Sequence, residues 1–326
     1  MTPGPISRFL LAGVAALAVY LSGARVSSQS SSDSRWWPSE WGASDERGAS
    51  NRLTPERVLE AARLIQEGKI YSLGRLYEPG MPSFGNRHYS LTIPGLPTGG
   101  PFGENHLVYN DELFSGEIGQ IGTQFDGLGH VGTRMDGKDI FYNGFELSEF
   151  GTAYGLERLG VENAGPFFTR GVLLDVAAYK GVERLDPTYI ITVEDIEGTL
   201  AREGVEIREG DVVLFRTGHG KLWMKDNEAY EASNPGPGIT ALRWLVAKRI
   251  VMTGGDTSNV EAVPGENPER AFEGHQWLMN RNGVHNFENL DLEELAADRV
   301  YEFAFLFAPL KLKGATGSPG NPIAVR

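Results

Sequence analysis

The 326-residue sequence contains no cysteine, which excludes disulfides, thiolate nucleophiles and thiolate metal ligands. Any metal ion would therefore be held by nitrogen and oxygen donors, and six histidines limit the possible combinations. Basic residues are also scarce, since 30 lysines and arginines stand against 43 acidic residues and give a net charge of -13. This charge argues against a nucleic-acid partner, whose binding requires a basic surface, and disfavours a role on anionic membranes.

Three catalytic signatures are absent from the sequence as well. There is no Gly-x-Ser-x-Gly elbow of serine hydrolases, no His-Glu-x-x-His helix of zinc proteases and no Gly-Lys-Ser/Thr phosphate loop. The composition, with 40% hydrophobic and 22% charged residues, is typical of a globular protein. The 42 glycines favour a loop-rich α/β or α+β fold over a helical bundle.

Residues 1–30 have the pattern of an export signal followed by a flexible leader. Arg8 gives a basic start, Phe9 to Leu21 is a short apolar run, and small residues up to Ala24 suit a signal peptidase. The run is shorter than the ~20 residues that span a bilayer, and an uncleaved anchor is the alternative. We therefore expect residues 31–326 to form the mature domain, exported to a periplasm or beyond and free of the membrane after processing.

The mature chain alternates between helix and strand patterns. Thr54, Pro55 and Gly68 are suited to cap, open and end a first helix, and Ile70 to Leu76 has the pattern of a strand. Near-continuous apolar runs predict three buried strands, near 171–175, 211–215 and 249–255. Further helices are predicted at 192–203 and 239–248, and a late strand at 301–310. This alternation predicts one α/β layered domain.

Two other segments suggest surfaces for contact. The Gly/Pro-rich region 79–102 is long for a structureless loop and is a candidate lid or oligomer arm. Trp36, Trp37 and Trp41 are expected to pack on the domain surface or an oligomer interface, with a pocket wall as the alternative.

The stretch from Gln120 to His130 (QIGTQFDGLGH) is the candidate active site. Its carboxylate, Asp126, and its imidazole, His130, are groups that could share a metal ion, and its glycines let the backbone approach a ligand closely. Two distant residues could complete the site. His275 is predicted on a helix and Glu288 at the end of a short strand, and their spacing of thirteen could bring both to one point.

With these residues, the sequence resembles the metal-dependent cyclase hydrolase family of kynurenine formamidases, isatin hydrolases and trans-dienelactone hydrolases. That family carries a His-x-Gly-Thr-His-x-Asp-x-Pro-x-His motif and a later histidine followed by a glutamate in a Glu-Asn-Leu context. Gly122 to Asp126 and His130 fit the motif, and His275 with Glu288-Asn-Leu fits the later pair. The resemblance implies a single domain of swivelling β/β/α type, with a mixed β-sheet core flanked by helices. It also implies a homo-oligomer.

The sequence departs from the family motif at its first two histidines, which are Gln120 and Gln124 here, and at its proline, which is Leu128. A carboxamide oxygen is a weaker ligand than imidazole. We therefore predict one zinc or manganese ion rather than two, with the remaining donors completing its shell. The predicted metal ligands are Asp126, His275, Glu288 and Gln124, with His130 as an alternative ligand.

The resemblance assigns His130 as the general base and acid of a hydrolase that acts through a metal-activated water. The expected substrate is a small molecule whose carbon–nitrogen bond is cleaved, an aryl formamide or a cyclic amide. Two alternatives stay open: a lactone or ester hydrolase of the dienelactone hydrolase type, and an exported small-molecule-binding protein without catalysis. Substrate contact by His219 and a place at the site for Asp256 to Ser258 are also left open.

Overall fold

Nine strands form one mixed sheet within residues 35–326, the part of the chain that the computed structural model describes. In chain order they are Ile70–Ser72 (β1), Gln124–Asp126 (β2), Phe167–Asp175 (β3), Val212–Arg216 (β4), Met252–Gly255 (β5), His285–Glu288 (β6), Glu302–Phe307 (β7), Gly317–Pro319 (β8) and Ile323–Val325 (β9). Their order across the sheet is β1-β9-β7-β3-β4-β5-β6-β2-β8. Strands β3 to β6 are mutually parallel and the other neighbours are antiparallel.

Helices connect and flank these strands. The α-helices are Pro55–Ala62 (α1), Leu147–Phe150 (α2), Val176–Tyr179 (α3), Val193–Glu203 (α4), Asn227–Ala232 (α5), Ile239–Ala247 (α6), Glu273–His275 (α7) and Glu293–Ala297 (α8). Short 3₁₀ turns lie at Gly48–Arg52, Tyr142–Gly144, Val161–Asn163 and His219–Leu222, and a π-helical turn at Gln276–Arg281 continues α7. The predicted α/β domain with a mixed sheet and flanking helices is confirmed. The predicted export signal and leader, residues 1–30, lie outside the described residues.

The first helix is shorter than its sequence pattern predicts. The Thr54 side chain caps it by accepting the Arg57 N–H, but α1 ends at Ala62 instead of near Gly68. The N–H groups of Glu67 and Gly68 donate to the carbonyl of Arg326, at 3.1 and 2.6 Å. This segment is therefore bonded to the end of the chain, and tertiary hydrogen bonds outweigh the local helix signal.

The Gly/Pro-rich region 79–102 is not a structureless loop. It contributes to two antiparallel ribbons, which pair Tyr89–Thr92 with Leu113–Gly116 and Gly99–Phe102 with Leu107–Tyr109. These ribbons and their connections expose apolar side chains, namely Leu91, Leu96, Phe102, Leu107, Val108 and Leu113. An exposed apolar arm of this kind suits the predicted homo-oligomer, which stays a prediction. Among residues 35–326, no helix combines the length and apolar character that crossing a bilayer requires.

An aromatic layer lies against one face of β2 and β6. Phe125 packs against Phe167, Phe287 and Phe307, with ring centroids 5.3 to 5.9 Å away. His285 stacks on Phe125 at 4.9 Å, and its Nε2 lies 3.2 Å from the carbonyl oxygen of Arg47. Burial in this layer lowers the pKa of His285 to about 4. The imidazole is therefore neutral in the folded protein at physiological pH.

This burial makes His285 a determinant of stability in acid. Because its folded pKa lies below the unfolded value of 6.5, the unfolded chain binds more protons between pH 6.5 and about 4. We expect the free energy of unfolding to fall by about 3 kcal/mol through this window on account of His285 alone. Chemical denaturation of the wild type and His285→Gln at pH 7 and pH 4 measures this difference. Equal pH dependence in both proteins would contradict the assignment.

Candidate metal centre and its cavity

The register between β2 and β6 sets the floor of the site. In this antiparallel pair, Gln124 lies opposite Glu288 and Asp126 lies opposite Asn286. Because side chains alternate along a strand, all four project from one face, whereas Phe125 and Phe287 enter the aromatic layer on the other. The four polar side chains are buried, and at most 4% of any of them is exposed. A buried square of polar groups is thus built by strand pairing alone.

The helical segment at 273–281 adds an imidazole to this square. His275 ends α7, and its Nε2 lies 3.0 Å from Oε1 of Glu288 and 3.8 Å from Oδ2 of Asp126. One donor atom from each of Asp126, His275 and Glu288 lies within 4.8 Å of the others. The π-helical turn directly after His275 is a feature often found at functional sites.

Glu261, a residue with no recognisable signal in the sequence, fixes the orientation of His275. Its carboxylate accepts the backbone N–H of Gly274 at 2.5 Å and that of His275 at 2.9 Å, and it also bonds Nδ1 of the imidazole. With Nδ1 held by Glu261, Nε2 faces Asp126 and Glu288. Metal-binding histidines commonly have a carboxylate on the second ring nitrogen in this way.

The buried charges around His275 fit a cation. Burial by itself lowers the pKa of His275, but hydrogen bonds to Glu261 and Glu288 outweigh it and raise that pKa well above its ordinary value. Burial, and then repulsion from Glu288, raise the pKa of Asp126. Three carboxylates around one imidazole therefore leave negative charge that only protons or a cation can neutralise. Two carboxylates and an imidazole nitrogen are a donor set that divalent zinc or manganese accepts.

The two glutamines lie beside this cluster as hydrogen-bond donors. Nε2 of Gln124 donates to Oε2 of Glu288 at 2.7 Å, and Nε2 of Gln120 donates to Oδ1 of Asp126 at 3.4 Å. Gln124 thus adjoins the cluster through its nitrogen, and its role as a ligand stays a prediction. Oε1 of Gln120 is buried without a hydrogen-bond partner among the described residues.

A cavity of about 290 Å³ opens above the cluster. His130 lines it together with Gln124, His275 and Glu288, so the predicted general base lies in the same space as three of the predicted ligands. Burial lowers the pKa of His130, and the attraction of Asp126 only partly opposes this. A neutral imidazole in this position can accept a proton.

Aromatic side chains form the apolar wall of the cavity. Phe84 and Phe272 meet edge to face, with ring centroids 6.2 Å apart, and both line the space. The Arg87 guanidinium, which also lines it, lies 5.5 Å from the ring centroid of Phe84 and donates to the carbonyl of Gln120 at 3.1 Å. The cavity therefore combines an apolar wall with the guanidinium group of Arg87.

His219 and the segment Asp256 to Ser258, whose roles the sequence left open, have different positions in the structure. Some of these residues stabilise the fold and one lines the cavity. His219 is fully buried, stacks on Tyr230 and bonds the Tyr230 carbonyl through Nε2, so its contacts are structural. Asp256 accepts the backbone N–H groups of Thr217 and Gly218, which is a turn-stabilising role. Ser258, in contrast, lines the cavity.

The tryptophans of the entry segment pack on one another and on the domain. Trp36 and Trp37 meet edge to face at 4.8 Å, and Trp37 closely approaches Gly144. The Arg52 guanidinium lies 4.9 Å from the ring centroid of Trp41. These contacts agree with packing on the domain surface.

Comparison with known protein families identifies the family to which this chain belongs. A family model described as "Putative cyclase" matches residues 71–262. The chain belongs to this cyclase family. The match includes the Gln120 to His130 stretch, while His275 and Glu288 lie beyond it. The resemblance inferred from the sequence motifs is confirmed.

Solved structures and a curated enzyme are similar to this chain. A crystal structure of a novel cyclase superposes with a TM-score of 0.77 at 32% identity, covering 88% of this chain and 98% of its own. Isatin hydrolase A from Ralstonia solanacearum shares the fold at a TM-score of 0.59 and 22% identity, covering 84% and 98%. Isatin hydrolase of Roseibium aggregatum is 31% identical over 148 residues, which are 43% of this chain and 54% of that enzyme. This cyclase-family chain thus matches about half the length of that enzyme.

Glu261 offers a test of the metal centre that does not alter a predicted ligand. Glu261→Gln keeps the size of the side chain but removes its charge from Nδ1 of His275, so we expect metal affinity to fall about 10- to 100-fold. Competition with a chromophoric chelator measures the change. Glu273→Gln is a matched control, because that carboxylate, at the start of α7, pairs with Arg270 and with Arg243 of α6. Equal affinities in the two variants would contradict the role of Glu261.

Proposed function

We propose that this protein is a metal-dependent hydrolase that cleaves the carbon–nitrogen bond of a small cyclic amide or aryl formamide. The observation that carries the proposal is the buried cluster of Asp126, His275 and Glu288 below a cavity that His130 also lines. Similarity to isatin hydrolase, whose named substrate is a cyclic amide, supports the cyclic amide in particular.

In this proposal Asp126, His275 and Glu288 hold one zinc or manganese ion. When bound, such an ion supplies Lewis acidity, which lowers the pKa of water and polarises a carbonyl oxygen. Glu261 keeps Nε2 of His275 directed at Asp126 and Glu288, where the ion would be held, and the amide N–H of Gln124 fixes one oxygen of Glu288. These contacts preorganise the donors, so that little reorganisation accompanies metal binding.

His130 is the proposed proton carrier. Its pKa is lowered by burial, so the imidazole is neutral at pH 7 and can take a proton from the attacking water. The imidazolium that forms beside Asp126 is stabilised by that carboxylate. It can then return the proton to the leaving nitrogen of the amide, which expels the amine.

The remaining cavity walls suit a small ring. Phe84 and Phe272 exclude water and can pack against an aromatic face, and Arg87 can pair with an oxygen that carries negative charge. A volume of about 290 Å³ lies at the lower end of ligand pockets, which favours a compact substrate.

The substrate class is tested with purified protein loaded with zinc or manganese. Isatin, an N-formyl arylamine, an aryl lactone and an aryl ester form the panel, and we expect turnover of the amides. Asp126→Ala should lose both stoichiometric metal and turnover, because a buried ligand is removed. Turnover of only the lactone or ester would favour the dienelactone hydrolase type. Neither metal nor turnover in the wild type would favour a binding protein without catalysis.

The role of His130 is tested by separating turnover from metal content. His130→Ala should lower kcat by about 10²- to 10⁴-fold, because proton transfer is lost, and should retain the metal. Elemental analysis and steady-state kinetics measure the two properties. His88→Ala, which alters an exposed histidine directly before the strand Tyr89–Thr92, is the control and should change neither. Loss of metal from His130→Ala would show that His130 is a ligand.

A further inference from the structure

We propose that the carboxamide oxygen of Asn286 is an additional ligand of the metal ion. This inference rests on the metal site of the proposed function and extends it by one residue. Asn286 lies on β6, opposite Asp126 and two residues before Glu288, and it is completely buried. Its side chain therefore projects from the same face as the two carboxylates, within the buried polar square.

The end of the Asn286 side chain contacts all three members of the cluster. Its Nδ2 lies 3.1 Å from Oδ2 of Asp126, 2.8 Å from Oε1 of Glu288 and 3.2 Å from Nε2 of His275. These are the atoms of Asp126, His275 and Glu288 that face one another. The Asn286 carboxamide thus contacts all three members of the cluster, which is more than a single hydrogen bond requires.

The distances place this carboxamide atom at a corner of the coordination shell and not at its centre. Donor atoms about 2.0 Å from a tetrahedral ion lie about 3.3 Å from one another. Five of the six separations among these four atoms are 2.8, 3.0, 3.1, 3.2 and 3.8 Å, which scatter around that value. An atom in the metal position would instead lie about 2 Å from each donor.

The other atom of the carboxamide has no partner. Oδ1 of Asn286 is buried and accepts no hydrogen bond from the described residues, which is unusual for an amide oxygen. A half-turn of the carboxamide exchanges Oδ1 with Nδ2 and leaves the shape of the side chain unchanged. Without a cation, the carboxylates favour the N–H groups at this corner. With a cation among them, electrostatics favours the oxygen.

Ligation by Asn286 leaves room for the reaction. Asp126 and Asn286 are both wholly buried, whereas His275 and Glu288 line the cavity. The added ligand would therefore approach from the protein side, and the cavity side stays open to water and substrate. Three oxygen donors with one nitrogen also make the site richer in oxygen, which moves its preference from zinc towards manganese.

The alternative role for Asn286 is that of a positioning residue, which donates N–H groups to the carboxylates in every state. Two substitutions that keep four non-hydrogen side-chain atoms branched at Cγ distinguish the roles. Asn286→Leu removes both the oxygen and the N–H groups, whereas Asn286→Asp keeps oxygen at the corner and removes only the N–H groups. Gln276→Leu is the matched control, because this carboxamide lines the same cavity and donates to the Gly132 carbonyl.

The experiment measures zinc and manganese dissociation constants by chelator competition, with folding checked by melting temperature in the metal-free state. We expect Asn286→Leu to bind metal about 10- to 100-fold more weakly, Asn286→Asp to bind at least as tightly as the wild type, and Gln276→Leu to be unchanged. Wild-type affinity in Asn286→Leu would overturn the inference. So would an equal loss in both Asn286 variants, because the N–H groups would then be what matters.

A crystal structure of the metal-loaded wild type tests the inference even if a variant fails to fold. The expected result is a side-chain atom of Asn286 about 2.0–2.2 Å from the ion, which only the oxygen can be. A separation of 3 Å or more would overturn ligation by Asn286 while leaving the metal site itself intact. A wild-type protein that binds neither metal would overturn this inference and the proposed function together.

Discussion

Burial of three carboxylates around one imidazole is the constraint on which the site depends. The acids are Asp126, Glu261 and Glu288, and none of them is more than 6% exposed. Charges removed from water must be neutralised or hydrogen-bonded, because the interior screens them poorly. The chain directs the amide N–H groups of Gln120, Gln124 and Asn286 at two of these acids. Amide dipoles offset only part of a full charge, so the negative charge of the buried carboxylates still favours binding of a cation.

The sheet brings together two of these acids and two of the amide groups that bond to them, by pairing strands that are distant in the chain. Strands β2 and β6 are more than 150 residues apart in the chain, yet their pairing sets Gln124 against Glu288 and Asp126 against Asn286. β8 covers the other edge of β2, and the aromatic layer around Phe125 fills the opposite face. A one-residue slip of β2 would exchange the polar and aromatic faces, so the core that stabilises the sheet also fixes the donor positions.

Sequence patterns predicted the residues with distinctive chemistry and overlooked those with ordinary chemistry. The structure brings Asp126, His275 and Glu288 together. They could be singled out in the sequence because each is an acid or imidazole in a glycine-rich or strand-end context. Asn286 gives no such signal, since a polar residue two before Glu288 is ordinary strand alternation. Glu261 acts across a loop contact that only tertiary structure creates. Likewise, the glycines and prolines of region 79–102 are typical of loops, so the sequence did not predict its ribbons. The buried strands, in contrast, were predicted from their apolar runs.

The glutamines at the two motif histidine positions bear on how many ions the site can hold. Gln120 engages Oδ1 of Asp126 and Gln124 engages Oε2 of Glu288. Each acid is left with one oxygen, Oδ2 and Oε1, and these are the atoms that approach His275 and Asn286. Two histidines would instead offer imidazole lone pairs on the outer side of both carboxylates, where a second ion could be shared. Under the proposed function, glutamine at both motif histidine positions therefore favours a single ion. Gln120 and Gln124 lack the imidazole donors that a second ion would need, and their N–H groups leave each carboxylate one oxygen for metal binding.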